Sequence, residues 1–235
     1  MSDISLKTAI NLPSCLTPIS GAICGNCGSL LVTDGFTPAI FVFSACGKLI
    51  NEIPTPTPYR FITASQDTGT VLALGQGCQN RIICLDCCYN EAFEFTPFLN
   101  EGTIKSIYPL SNGRLLVSYP DLLAILNRRG TLLNSLRENN DPFTEFESAV
   151  PTCDGIILLY TRRGVQYLEL DSANTTFLVA IPTSVRLRNL TKACDGTVYA
   201  FGVQGYKNAF LVPVYANGSF ICDALSTLYS DSCPL

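Results

Sequence analysis

The chain of 235 residues contains no histidine and no tryptophan, and charged residues make up only 14% of it. Without histidine there is no Ser-His-Asp or Cys-His arrangement for nucleophilic catalysis, and the commonest metal ligand is missing. A charged fraction well below the usual ~25% excludes a heavily solvated or disordered chain. The formal net charge is −4, and the 15 lysines and arginines are scattered rather than clustered. Sequence-independent nucleic-acid binding needs a cationic face, and so does adhesion to anionic lipid. Neither partner is expected.

Long apolar runs of membrane type are also absent. Residues Thr8 to Thr33 carry no charge, but Pro13, Pro18, Gly21, Gly25 and Gly28 break them. A spanning helix needs about 20 mostly apolar residues in succession. The start, Met1-Ser-Asp-Ile-Ser-Leu-Lys, lacks a basic segment followed by an apolar core, so no signal peptide is read and a cytoplasmic location is expected. In that compartment the twelve cysteines are expected to be small buried hydrophobes rather than a disulfide framework. The sequons at Asn174, Asn189 and Asn217 are then expected to go unused.

What the chain does have is a repeat. A glycine followed by an apolar run recurs at Gly28-Ser-Leu-Leu-Val, Gly69-Thr-Val-Leu-Ala-Leu, Gly113-Arg-Leu-Leu-Val, Gly155-Ile-Ile-Leu-Leu-Tyr and Gly196-Thr-Val-Tyr-Ala-Phe, at spacings of 41, 44, 42 and 41 residues. Each repeat holds four short strand signals bounded by Gly, Asn, Asp and Pro. In the third they are Thr103–Leu110, Arg114–Tyr119, Leu122–Leu126 and Thr131–Leu136. Unbroken apolar runs in the middle strands suit burial on both faces. Four antiparallel strands every ~40–45 residues define a propeller blade. The expected fold is all-β: a single five-bladed β-propeller of four-stranded antiparallel blades spanning residues 15–235. A sixth blade would need another ~40 residues. Residues 1–14 form an N-terminal segment, and Ile4–Ile10 within it is a candidate closing strand for the last blade.

Cys194-Asp-Gly-Thr-Val-Tyr-Ala-Phe and Asn127-Arg-Arg-Gly-Thr-Leu resemble the second strand and the outer turn of NHL- and YVTN-type propeller repeats. The resemblance covers about residues 15–228 and implies the fold without an activity. It also implies that the first strand of each blade lines the central channel. The tryptophan–aspartate mark of WD40 repeats is missing.

Stacking the repeats eight residues before each glycine gives Ser20, Phe61, Lys105, Glu147 and Arg188. With Arg60 nearby, Arg60, Lys105, Glu147 and Arg188 form a candidate polar ligand site at the channel mouth. An inter-blade ion pair explains the same charges. Cys24-Gly-Asn-Cys27 has metal-ligand spacing, which makes Cys24 and Cys27 candidate ligands; a glycine-bearing turn explains the spacing equally. No cofactor is expected. Glu147, with Glu145 beside it, is the clearest acid for a glycosidase-like carboxylate pair, while Asp34 and Asp121 sit in turns that favour Asp in any case.

Three functional readings follow. The first is a non-catalytic binding or scaffold module with a protein or small polar ligand as partner. The second is a small-molecule or carbohydrate binder, or a glycosidase-like enzyme, at the channel mouth. The third is a thiol-rich structural protein of an assembled particle.

Overall fold

The structure, a computed structural model, describes residues 10–11, 19–23, 29–44, 47–65, 69–75, 80–86, 88–97, 99, 101–110, 113–137, 145–152, 155–160, 164–169, 175–179, 186–193, 195–204, 208–216 and 219–220. After a two-residue strand, β1 (Ile10–Asn11), come five antiparallel sheets in chain order. Blade one is β2 (Ser20–Ile23), β3 (Leu30–Thr33), β4 (Ala39–Phe43) and β5 (Leu49–Pro54). Blade two is β6 (Tyr59–Ala64), β7 (Val71–Gly75), β8 (Ile82–Leu85) and β9 (Glu91–Phe95). Blade three is β10 (Ser106–Pro109), β11 (Leu115–Ser118), β12 (Leu122–Leu126) and β13 (Leu132–Arg137). Blade four is β14 (Phe146–Pro151), β15 (Gly155–Tyr160), β16 (Gly164–Glu169) and β17 (Thr175–Val179). Blade five is β18 (Arg186–Lys192), β19 (Val198–Gln204) and β20 (Asn208–Ala216). Its outer edge is shared by β1 and by β21 (Ser219–Phe220), both antiparallel to β20. Of the candidate closing strand Ile4–Ile10, only Ile10 lies among the described residues.

The unbroken apolar runs have a geometric cause. Each blade is sandwiched between two others, so successive side chains of its middle strands enter two different apolar layers. In β4, Ala39, Phe41 and Phe43 pack into the layer shared with blade five, while Ile40 and Val42 pack into the layer shared with blade two. In β7, Val71 and Ala73 face blade one, and Leu72 and Leu74 face blade three. Where only one face is covered the pattern changes, and the outer strands β5 and β13 are exposed along nearly their whole length. Among the described residues, no helix is long and apolar enough to cross a membrane.

The repeat glycines do not all serve one purpose. Gly69, Gly113 and Gly196 have φ of +64°, +68° and +85°, left-handed turns that a side chain disfavours. Gly155 instead lies within β15, where an added Cβ would run into the Leu168 carbonyl and the Tyr167 ring. Gly28 lies outside the described residues.

Candidate functional site

The innermost strands β2, β6, β10, β14 and β18 contact one another in a closed ring. An innermost strand has no further strand beside it, so its inward backbone groups need other partners. Here the neighbouring blade's side chains provide them. Ile62 N donates to Ser20 Oγ at 3.0 Å, and Leu190 N to Ser148 Oγ at 3.0 Å. Ile23 N donates to Thr191 Oγ1 at 3.0 Å. Between the last blade and the first, Gly21 N donates to Asn189 Oδ1 at 3.2 Å, and Asn189 Nδ2 donates back to Gly21 O at 2.7 Å. Asn189 is fully buried, so this sequon is not an accessible acceptor. Its closing role was not legible from the sequence; the one available signal was a polar residue on an otherwise apolar inner strand.

The charged residues sit one step towards the strand starts. In blade two the pairs Tyr59↔Gly75 and Phe61↔Leu74 leave Arg60 as an extra, bulged residue. The same happens to Glu147 in blade four and Arg188 in blade five. Ile19 and Lys105 occupy the matching places, their amides donating to Thr33 O at 2.9 Å and Ser118 O at 2.7 Å. The equivalent ring is therefore Ile19, Arg60, Lys105, Glu147 and Arg188. Ser20 and Phe61, which the fixed spacing selects, are one residue off, because Ile19 and Arg60 stand nine residues before their glycines and the other three stand eight.

The ring divides in two by charge. On one side Lys105 Nζ lies 3.6 Å from Glu145 Oε2 and 3.9 Å from Glu147 Oε1, an ion-paired cluster across blades three and four. On the other, Arg60 and Arg188 flank the uncharged Ile19, and β18 approaches β6 within 8 Å between Cα atoms. Arg60 Nε donates to Gly75 O at 3.1 Å and Nη1 to Ile104 O at 2.6 Å. Its Nη2 is buried without a hydrogen-bond partner among the described residues, as is Nε of Arg188. Burial lowers the pKa of both arginines, and Arg186 lowers that of Arg188 further while Glu147 opposes it. Both remain cationic at neutral pH.

Beside this ring a turn projects an aromatic side chain. Asp34, 3% exposed, accepts from Phe36 N at 2.9 Å, Thr37 N at 2.7 Å and Thr37 Oγ1 at 2.7 Å. The bonds hold Phe36 with 73% of its surface exposed. Gly35, inside the turn, abuts Ile19 and the Arg60 backbone.

Cys24 and Cys27 lie outside the described residues. Cys84 is a half-buried free thiol and Cys88 is exposed. Among the described residues no cluster of three or more His, Cys, Asp or Glu could hold a metal ion.

Five sheets around one axis, each with its innermost strand facing it, make this a five-bladed β-propeller. Solved structures of similar fold include virginiamycin B lyase from Staphylococcus aureus, at 16% identity over 90% of this chain and 74% of that one with a TM-score of 0.51. They also include the WD40 propeller domain of Doa1, at 9% identity, 83% and 78% coverage and a TM-score of 0.55. A chain of the Mitotic Checkpoint Complex matches at 9% identity, 92% and 93% coverage and a TM-score of 0.58. At these identities the likeness is one of fold alone. A catalytically inactive form of the lyase carries alanine in place of a histidine; this chain has no histidine. No family model and no curated protein matches the chain.

Proposed function

We propose that the protein is a non-catalytic binding module that takes an acidic group of a partner protein at the mouth of its axis. One observation carries this reading: Arg60 and Arg188, half-buried on the inner ring, each keep a buried N–H with no hydrogen-bond partner among the described residues. A buried donor without an acceptor costs about 1–3 kcal/mol. A carboxylate supplies both the acceptor and the opposite charge, in the bidentate geometry that guanidinium favours. The exposed Phe36 next to the ring adds an apolar anchor of the type enriched at protein interfaces. Fold neighbours that include a WD40 domain and a chain of a multi-protein complex support a protein partner over a free metabolite. Catalysis has less support. Glu145 and Glu147 share one ammonium, that of Lys105, which suits charge neutralisation.

A free dicarboxylate would meet the same donors, so succinate serves as a probe. Succinate is expected to raise the melting temperature of the wild-type protein, by the equivalent of ~2.7 kcal/mol at about 100-fold excess over Kd. The Arg60→Gln and Arg188→Gln proteins are expected to lose the shift, while sodium chloride of equal ionic strength produces none. An equal shift in all three proteins, or none in the wild type, refutes the site.

A further inference from the structure

A cavity lies away from the axis, between blades two and three, with a volume of 370 Å³. That volume is within the ~300–1,000 Å³ common for small-molecule sites. Leu72, Phe93, Phe95, Leu110 and Leu115 form most of its wall, and the half-buried thiol of Cys84 faces it. Among the described residues its charged lining is Arg114 and Arg128, both exposed at the rim. The nearby acids of β9 turn the other way: Glu91 and Glu94 both pair with Arg81 on the opposite face of that strand. Arg128 makes no hydrogen bond or ion pair with a described residue. Its side chain lies across Gly113, close enough that any Cβ there would collide with it. The third repeat glycine thus gives the Arg128 stem its place beside the cavity.

An apolar cleft with the Arg128 guanidinium at its rim, and with no acid lining it among the described residues, selects for a particular chemistry. We propose that this cavity binds a small amphipathic acid, with an apolar chain between the blades and a carboxylate against Arg128, on the side where Arg114 adds positive charge. The site is separate from the axial ring and stands whether or not that ring binds an acid. A neutral analogue fills the cleft without meeting the arginines, and a short acid meets the arginines without filling the cleft. Both ends are needed for tight binding. Cys84 then serves as a built-in reporter, because an occupant shields its sulfur from alkylation.

The test is calorimetric titration of the full chain with octanoate, nonanoate and decanoate, with decanol as the uncharged control. Saturable one-to-one binding is expected, tightening about fourfold with each added methylene. Arg128→Gln is expected to weaken decanoate about tenfold and leave decanol unchanged. Leu110→Trp, which fills the cleft from a half-buried position, is expected to abolish binding of both. Decanoate is expected to slow iodoacetamide labelling of Cys84, followed by peptide mass mapping. Arg60→Gln with Arg188→Gln should bind decanoate as the wild type does, which separates this site from the axial one. The proposal is overturned if decanoate shows no saturable binding, if Arg128→Gln and Leu110→Trp both bind it normally, or if Cys84 is labelled equally with and without it.

Discussion

Replacing Asn189 with leucine tests how the propeller is closed at its axis. Asn189 is fully buried and spans the junction between the last blade and the first. Its amide accepts from Gly21 N and donates to Gly21 O and, at 3.3 Å, to Leu190 O. Leucine has the same number of side-chain heavy atoms and the same branching, so the shape is roughly kept, with bulkier methyl groups, while all three bonds disappear. The Gly21 N–H and C=O are then left in an apolar environment with no strand beyond β2 to meet them. Each such group costs about 1–3 kcal/mol, and the extra apolar burial of leucine offsets part of that. The net loss is expected to be ~3 kcal/mol. For a chain of this size each kcal/mol corresponds to ~2–4 °C, so the melting temperature should fall by about 10 °C. Scanning calorimetry and urea denaturation would measure both quantities. Arg137→Ala is the control: its pairs with Glu101 and Asp121 are solvent-exposed, and such pairs contribute ~0–1 kcal/mol. If Asn189→Leu costs no more than that control, side-chain closure between blades is refuted.

Two further perturbations probe buried polar groups. Tyr119 is fully buried and its hydroxyl has no hydrogen-bond partner, so Tyr119→Phe should stabilise the protein by ~1 kcal/mol in urea denaturation at neutral pH. Burial, aided by the charge of Glu101, pushes the Tyr119 hydroxyl up to about 12. The unfolded chain ionises first, near pH 10. The Tyr119 contribution to stability is therefore constant below about pH 10 and falls by ~1.4 kcal/mol per unit between about pH 10 and 12. The phenylalanine variant should lose that part of the slope; Tyr59, whose pKa burial and Glu91 also raise, should keep a remainder. An alkaline profile identical to wild type would contradict the burial argument. Asp34→Ala removes the three bonds that shape the Phe36 turn; a loss of ~2–3 kcal/mol and faster chymotryptic cleavage at Phe36 are expected, and an unchanged cleavage rate would mean that the turn holds itself.

The linear sequence determined the architecture because the repeat is a local signal. Glycine, apolar run and turn residues recur at each blade, and the double burial of β3, β4 and β7 writes itself as runs without polar interruption. The charges that meet at the mouth were legible too, since equivalent residues of a closed repeat must share a ring. Their alignment was not. Blades one and two hold one more residue between this position and the repeat glycine than the other three do, so a fixed offset selects Phe61 where the fold presents Arg60. Nor could the sequence show that Asn189 is a closing bond rather than an acceptor on the surface, because its partner Gly21 stands 168 residues away. The cleft holding Cys84 exists only where the outer strand of one blade faces the first turn of the next. Repetition is encoded along the chain, whereas bulges, edge partners and inter-blade cavities depend on what curvature brings against each strand. The tertiary structure alone decided those.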